Sequence, residues 1–156
     1  MEGKLAPSHC SKWKKARAAV RRRNIYYCGN DTSTQFFAAS VAEELLLNTE
    51  LTEESKDHAI HLLKEFGLYE YRDAHPSTLS GGQKQRLAIA CAVFSGRRIL
   101  ILDESTSGLD GQNMRLIAER LKSEARSGRT ILVTTHDREL IENCCDNIVE
   151  VEKRSP

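Results

Sequence analysis

Three groups of residues in this chain carry side chains suited to chemistry on a charged ligand. The first is Asp103-Glu104, directly after the apolar run Ile99-Leu100-Ile101-Leu102. Carboxylates there emerge at the carboxyl edge of a strand, where open α/β sheets bind ligands. One can hold Mg²⁺, an ion that favours a carboxylate or two together with waters and phosphates. The next can orient or deprotonate an attacking water. Alone, an acid pair after a strand is more often an ordinary loop. The second group is Ser80-Gly81-Gly82. Where glycines open a helix, unpaired N–H groups and the positive end of the dipole point outward, and no side chain keeps a phosphate away. A plain N-cap explains the same three residues equally well. The third is His136, which follows the run Thr130–Thr135 and precedes Asp137. From a strand's carboxyl edge it can contact a terminal phosphate or an attacking water. His9, His58, His61 and His75 read as surface or loop residues.

These groups need elements to hold them. Ser80 caps a helix through Leu87, Ile89, Ala90 and Val93, stopped at Gly96. Arg98–Asp103 is a continuous apolar run, the pattern of a strand buried on both faces. Asp110 caps a helix bearing Met114, Ile117, Ala118 and Leu121, ended by Gly128. Thr130–Thr135 is a second buried strand, followed by a helix from Asp137 to about Cys144 and a strand over Asn147–Glu152. Upstream, Arg23–Cys28 is a short β run and Asn30–Gln35 a turn-rich loop. Ser40 caps a helix over Val41–Leu47, with Glu43 at the reciprocal capping-box position. Thr52 caps the next, where Ile60, Leu63 and Phe66 line one face and Gly67 supplies the stop. Tyr71–Thr78 is a loop, because Pro76 disfavours helix at His75. Alternating strands and helices predict an α/β fold, a parallel sheet with helices on both faces.

Composition narrows the class. The chain has 156 residues, 40% apolar and 29% charged, which suits a globular domain rather than a disordered segment. There is no repeat or low-complexity linker. Net charge is +1, so no global field calls for a polyanion. The basic residues cluster early: Lys4, Lys12, Lys14, Lys15, Arg17, Arg21, Arg22 and Arg23 all fall between Glu2 and Asp31, where no acid occurs. Residues 1–22 read as a solvated basic arm. They lack the aromatic interleaving of a nucleic-acid surface, and no nucleic-acid partner is expected. Cys10, Cys28, Cys91, Cys144 and Cys145 form no C-x-x-C pair, which fits reduced structural thiols. Adjacent Cys144 and Cys145 can hardly bridge each other without strain. No apolar run approaches a membrane span, and no signal-peptide segment opens the chain.

The order of the motifs is more specific than any one of them. "LSGGQKQR", "RILILDESTSGLD" and "ILVTTHD" together resemble the ATP-binding cassette (ABC) ATPase family in motif, order and spacing. Leu79 to Gln83 resembles the family's signature motif. Ile99 to Asp103 resembles its Walker B strand, with Glu104 at the catalytic glutamate position. Ser107-Gly108-Leu109-Asp110 resembles the D-loop, and His136 the switch histidine. Ser105 stands where proline is usual, a change expected to matter little. Asn30 to Leu46 resembles the segment after the Q-loop in ATPases of energy-coupling-factor and cobalt-type importers. Asn30 falls on the Q-loop glutamine position, where it keeps the amide on a shorter stem.

The resemblance implies a P-loop NTPase-like fold over residues 23–156, with a helical subdomain at about 40–95. It implies ATP and Mg²⁺ as cofactors and places Glu104 and His136 in catalytic roles. Ser80, Gly81, Gly82, Gln83 and Asp110 then bind nucleotide, and Asp103 and Asn30 serve the metal. It further implies head-to-tail pairing with another ABC ATPase subunit, a transmembrane transporter partner, and a position at the cytoplasmic face of the membrane. Against this, the sequence holds no G-x-x-x-x-G-K-[ST] loop; its only Gly-Lys, Gly3-Lys4, is followed by Leu5. Met1 to Lys15 resembles the segment downstream of that loop, so the domain is expected to be incomplete at its N-terminus. By the same resemblance the missing strand would neighbour Thr130–Thr135, and the isolated chain is expected to be marginally stable. A non-catalytic half-subunit that docks a complete ATPase is the alternative. A DNA-repair or chromosome-organising ATPase is disfavoured, since no long heptad coiled coil is present.

Overall fold

The computed structural model describes residues 20, 23–31, 35–47, 49–106 and 109–150. The basic arm, Ser107 and Gly108 therefore lie outside the described residues, apart from Val20 within the arm. Three strands, β1 (Ile25–Cys28), β2 (Ile99–Asp103) and β3 (Thr130–Thr134), form a parallel sheet in the order β1-β2-β3. Tyr27 pairs with Ile101 and Cys28 with Leu102; on the other side Ile101 pairs with Leu132 and Asp103 with Thr134. Described in full beside the sheet are the helices α1 (Val41–Leu46), α2 (Glu53–Glu65), α3 (Gly81–Phe94), α4 (Gly111–Arg126) and α5 (Arg138–Cys144).

Short-range side-chain bonds set the helix starts. Ser40, Thr52, Ser80, Asp110 and Asp137 each accept a backbone N–H three residues on, satisfying a donor the helix itself leaves open. Gly67, Gly96 and Gly128 follow α2, α3 and α4 with φ of 63°, 63° and 96°, the left-handed stop that a side chain resists. Glu43 does not return a capping bond among the described residues. Its neighbour Glu44 instead turns inward and accepts from the N–H groups of Phe37 and Ala38, both at 2.8 Å, which folds the preceding loop onto α1.

One core cluster joins the helical part to the sheet. Phe66, Leu62, Leu63, Leu87, Ile89, Leu100, Leu102 and Ile117 are all fully enclosed in it. Several expectations are corrected here. On α2 the buried stripe is Ala59, Leu62, Leu63 and Phe66, while Ile60 is exposed. The spacing i, i+3, i+4, i+7 selects that phase. β1 begins at Ile25, after helical Arg23 and Asn24. The segment Tyr71–Thr78 is not irregular throughout: short 3₁₀ turns cover Tyr69–Tyr71 and Pro76–Thr78.

Among the described residues, helices cover one face of the sheet. Tyr26, Leu100, Ile131, Cys28, Leu102 and Val133 face the helices and belong to the core. The cross-strand row Tyr27–Ile101–Leu132 points the other way, and Tyr27 and Leu132 are 60% and 54% exposed. β3 therefore alternates instead of being buried on both sides. Its outer edge has no partner among the described residues. Asn147–Glu150, expected as a strand, is not one; Ile148 and Val149 lie exposed, and a strand needs a ladder to join. The remainder of that segment lies outside the described residues.

Charged groups tie the base of the domain together. Glu124 of α4 pairs with Arg120 at 2.7 Å and with Arg129 at 3.0 Å. Arg120 also reaches Glu65 of α2 at 3.1 Å, and Arg129 donates to the Val93 carbonyl of α3 at 2.8 Å.

Candidate functional site

At the carboxyl end of β2 the chain turns sharply. Glu104 has φ of 50°, a left-handed conformation that costs a residue with a side chain on the order of 1–3 kcal/mol. Its N–H donates to the Thr134 carbonyl at 2.9 Å, so β3 fixes the turn. The next residue, Ser105, is buried, and its hydroxyl donates to the Cys28 carbonyl at 3.0 Å, binding the turn to β1 as well. Proline at this position has no such donor. Ser105 thus matters more than the sequence suggested.

This turn brings three predicted residues together. His136, two residues beyond β3 in the irregular segment before α5, places Nδ1 at 3.0 Å from a carboxylate oxygen of Glu104. Asp103 lies beside them at the end of β2. Two residues not singled out from sequence hold it. The Tyr27 hydroxyl donates to one carboxylate oxygen at 2.8 Å, and the Thr134 hydroxyl makes a short hydrogen bond to the other. The Thr134 and Tyr27 donors keep the Asp103 carboxyl below the usual carboxylate range, and Asp103 in turn raises the Tyr27 phenol. Asp103 is thereby ionised and oriented at neutral pH.

The donor set fits Mg²⁺. It offers hard carboxylate oxygens, and among the described residues no cluster of three or more His, Cys, Asp or Glu forms an all-protein cage. An ion satisfied by one or two carboxylates, with waters and phosphate oxygens completing its shell, matches that supply.

A second group sits at the start of α3. Leu79 is buried and anchors the segment, while Ser80 and Gly81 are exposed. Ser80 and Gln83 form a reciprocal capping box: the Gln83 N–H donates to Ser80 Oγ at 3.4 Å, and the Ser80 N–H donates to Gln83 Oε1 at 2.8 Å. Both side chains act as acceptors here, which leaves the Ser80 hydroxyl hydrogen and the Gln83 amide donors able to point at an anion. A Cβ added to Gly81 meets nothing within 4 Å, so the space above the helix start is open. The Ser80→Ala variant is expected to lose about 1 kcal/mol of stability, the worth of an N-cap, read by denaturant unfolding. A loss under about 0.3 kcal/mol would mean that the box is not formed in solution.

Asp110 is occupied as the cap of α4. Its two oxygens accept from the backbone and side-chain nitrogens of Asn113 at 2.9 and 2.8 Å. Those bonds hold its carboxyl below the usual range, helped by the charge of Arg86 on α3. Asn30 lies exposed, two residues past β1. The Ser80 group opens α3 and the Asp103, Glu104 and His136 group follows β2 and β3, so the two stand on different elements, one acidic and one rich in donors.

Beside α1 a cavity of about 240 Å³ opens between β1 and α3, lined by Tyr26, Gln35, Glu44, Cys91, Phe94 and Arg97. Phe37 at its rim is 84% exposed and Leu47 42%.

Comparison with known proteins identifies the family. A family model described as ABC transporter matches residues 3–107. A putative ABC transporter ATP-binding protein of Treponema denticola is 40% identical over 131 residues, 83% of this chain and 26% of that protein. The methionine import ATP-binding protein MetN of Haemophilus influenzae is 43% identical over 119 residues, 73% of this chain and 34% of that protein. Its namesake from Escherichia coli K12 is 39% identical over 128 residues, 81% and 37% of the two chains. The chain thus spans about a quarter to about two fifths of the length of these curated relatives.

Proposed function

The chain belongs to the ABC transporter family, and from that premise we propose that it forms part of the ATP-hydrolysing subunit of a membrane importer. The reading is carried by one observation: Asp103, Glu104 and His136 converge at one strand edge, while a separate helix start leaves open space above Gly81. A single nucleotide needs both kinds of surface, acids for metal and water and donors for phosphate. Head-to-tail pairing with a second ATPase subunit supplies each surface with its complement.

In this reading Asp103, fixed by Tyr27 and Thr134, would hold Mg²⁺ through water, and the ion would neutralise charge on the phosphates. Glu104 orients or deprotonates the attacking water, and His136 steers the Glu104 carboxylate. Ser80, Gly81, Gly82 and Gln83 cover the nucleotide of the partner subunit, with Asp110 beside it. Asn30, two residues past the end of β1, would serve the metal. The cavity rimmed by Phe37 and Leu47 is the place we assign to the membrane-spanning partner, because exposed apolar side chains around a concave site favour burial. No helix among the described residues is long and apolar enough to cross a membrane; the subunit works at the cytoplasmic face through that partner.

Relatives named for methionine import support an importer. The likeness to energy-coupling-factor and cobalt-type importers rests on the segment around Gln35 to Glu44 and does not extend to a substrate.

Gly81→Asp tests the reading without disturbing the fold. The added side chain has room, and an acid in the first turn suits the helix dipole. It sets a negative charge where phosphate approaches. In Mg-ATP, association with a subunit that carries a phosphate-binding loop is expected to weaken at least about tenfold, roughly 1.4 kcal/mol, with thermal unfolding unchanged. Equal association by both forms would refute the phosphate role of this helix start.

A further inference from the structure

Helix α5 ends in two adjacent thiols that the proposed ATPase chemistry does not use. Cys144 closes the helix and packs against Met114, Ala118 and Leu140, and Cys145 is its C-cap, donating its N–H to the Ile141 carbonyl at 3.1 Å. Both are half-buried, and their Sγ atoms lie 4.0 Å apart. Consecutive Cα atoms stand about 3.8 Å apart, short of the roughly 4.4–6.8 Å that disulfides usually span. A direct S–S bond is therefore disfavoured. One large atom placed between the sulfurs widens the ring and removes that conflict.

Two soft sulfurs on one short segment match a soft centre of low coordination number. No third His, Cys, Asp or Glu stands with them as a metal cluster among the described residues, so an ion requiring four protein ligands is poorly served. Burial and the neighbouring Cys145 push the Cys144 thiol up to about 12, with Lys122 lowering it and Asp146 raising it. A protonated thiol resists oxidation and alkylation, which keeps Cys144 available in its reduced form.

We propose that Cys144 and Cys145 together form a binding site for trivalent thiophilic metalloids of the organoarsenous-acid class, held as a cyclic dithiolate at the end of α5. The reaction is a condensation. Each S–H proton passes to a hydroxyl on arsenic, two As–O bonds break, two As–S bonds form, and two waters leave. Arsenic stays trivalent throughout, so no oxidant or reductant is consumed.

The test treats the full chain with phenylarsine oxide in excess monothiol and reads intact mass, followed by peptide mapping. One phenylarsenic group per chain is expected, mapped to the peptide holding both residues and removed by a small dithiol. Cys144→Ser and Cys145→Ser are each expected to cut retention at least tenfold, while Cys10→Ser and Cys28→Ser retain it. Circular dichroism identifies a variant that has unfolded. Cys145→Ser, at a half-buried cap outside the Met114–Leu140 cluster, is the substitution that keeps the fold. An adduct that survives in folded Cys145→Ser, or no retained adduct on the unmodified chain, overturns the site.

Discussion

The Glu104→Gln variant, assayed within the ATPase assembly, is expected to lose ATP turnover by about 10²–10⁴-fold, the usual contribution of a positioned general base. The amide is nearly isosteric with the carboxylate, so the left-handed turn and the bond from the Glu104 N–H to Thr134 survive. What disappears is the charge that orients or deprotonates water, while the amide oxygen can still accept at the position 3.0 Å from His136. Nucleotide-dependent association should persist, because the donors at the start of α3 are untouched. Turnover within tenfold of the unmodified protein would remove Glu104 from the reaction and shift the base role elsewhere.

The second large effect concerns stability. Glu124→Ala is expected to cost about 3 kcal/mol, since removing one member of a buried charge pair leaves its partners uncompensated. The Glu124 side chain is 8% exposed, and Arg120 and Arg129, each 22% exposed, both depend on it. Against total stabilities of about 5–15 kcal/mol, that loss is readily measured by denaturant unfolding. Glu139→Ala is the companion. Its ion pair with Arg115 at 3.4 Å is largely in solvent, and such pairs contribute about 0–1 kcal/mol. Equal losses in the two variants would show that the Glu124 network is not buried in solution.

Local features of this molecule were readable from sequence because their partners lie three or four residues away. The caps at Ser40, Thr52, Ser80, Asp110 and Asp137 and the stops at Gly67, Gly96 and Gly128 are of this kind. So was the order of strands and helices, which follows from periodicity. The unreadable features depend on register between distant strands. Tyr27 looks like any strand residue until the pairing of β1 with β2 brings it to Asp103, 76 positions on. Thr134 reaches the same carboxylate across the β2–β3 pair. The unbroken run Ile131-Leu132-Val133 cannot say which side chain faces the core, and only its pairing turns Leu132 outward with Tyr27. Ser105 was discounted for the same reason: its acceptor, the Cys28 carbonyl, is remote in sequence.

The Arg129–Glu124–Arg120 clamp lies below the amino ends of the strands, whereas Asp103, Glu104 and His136 occupy the opposite rim. Durability and the proposed chemistry thus occupy different storeys of one small building, and an engineer can reinforce the floor without retuning the turns above.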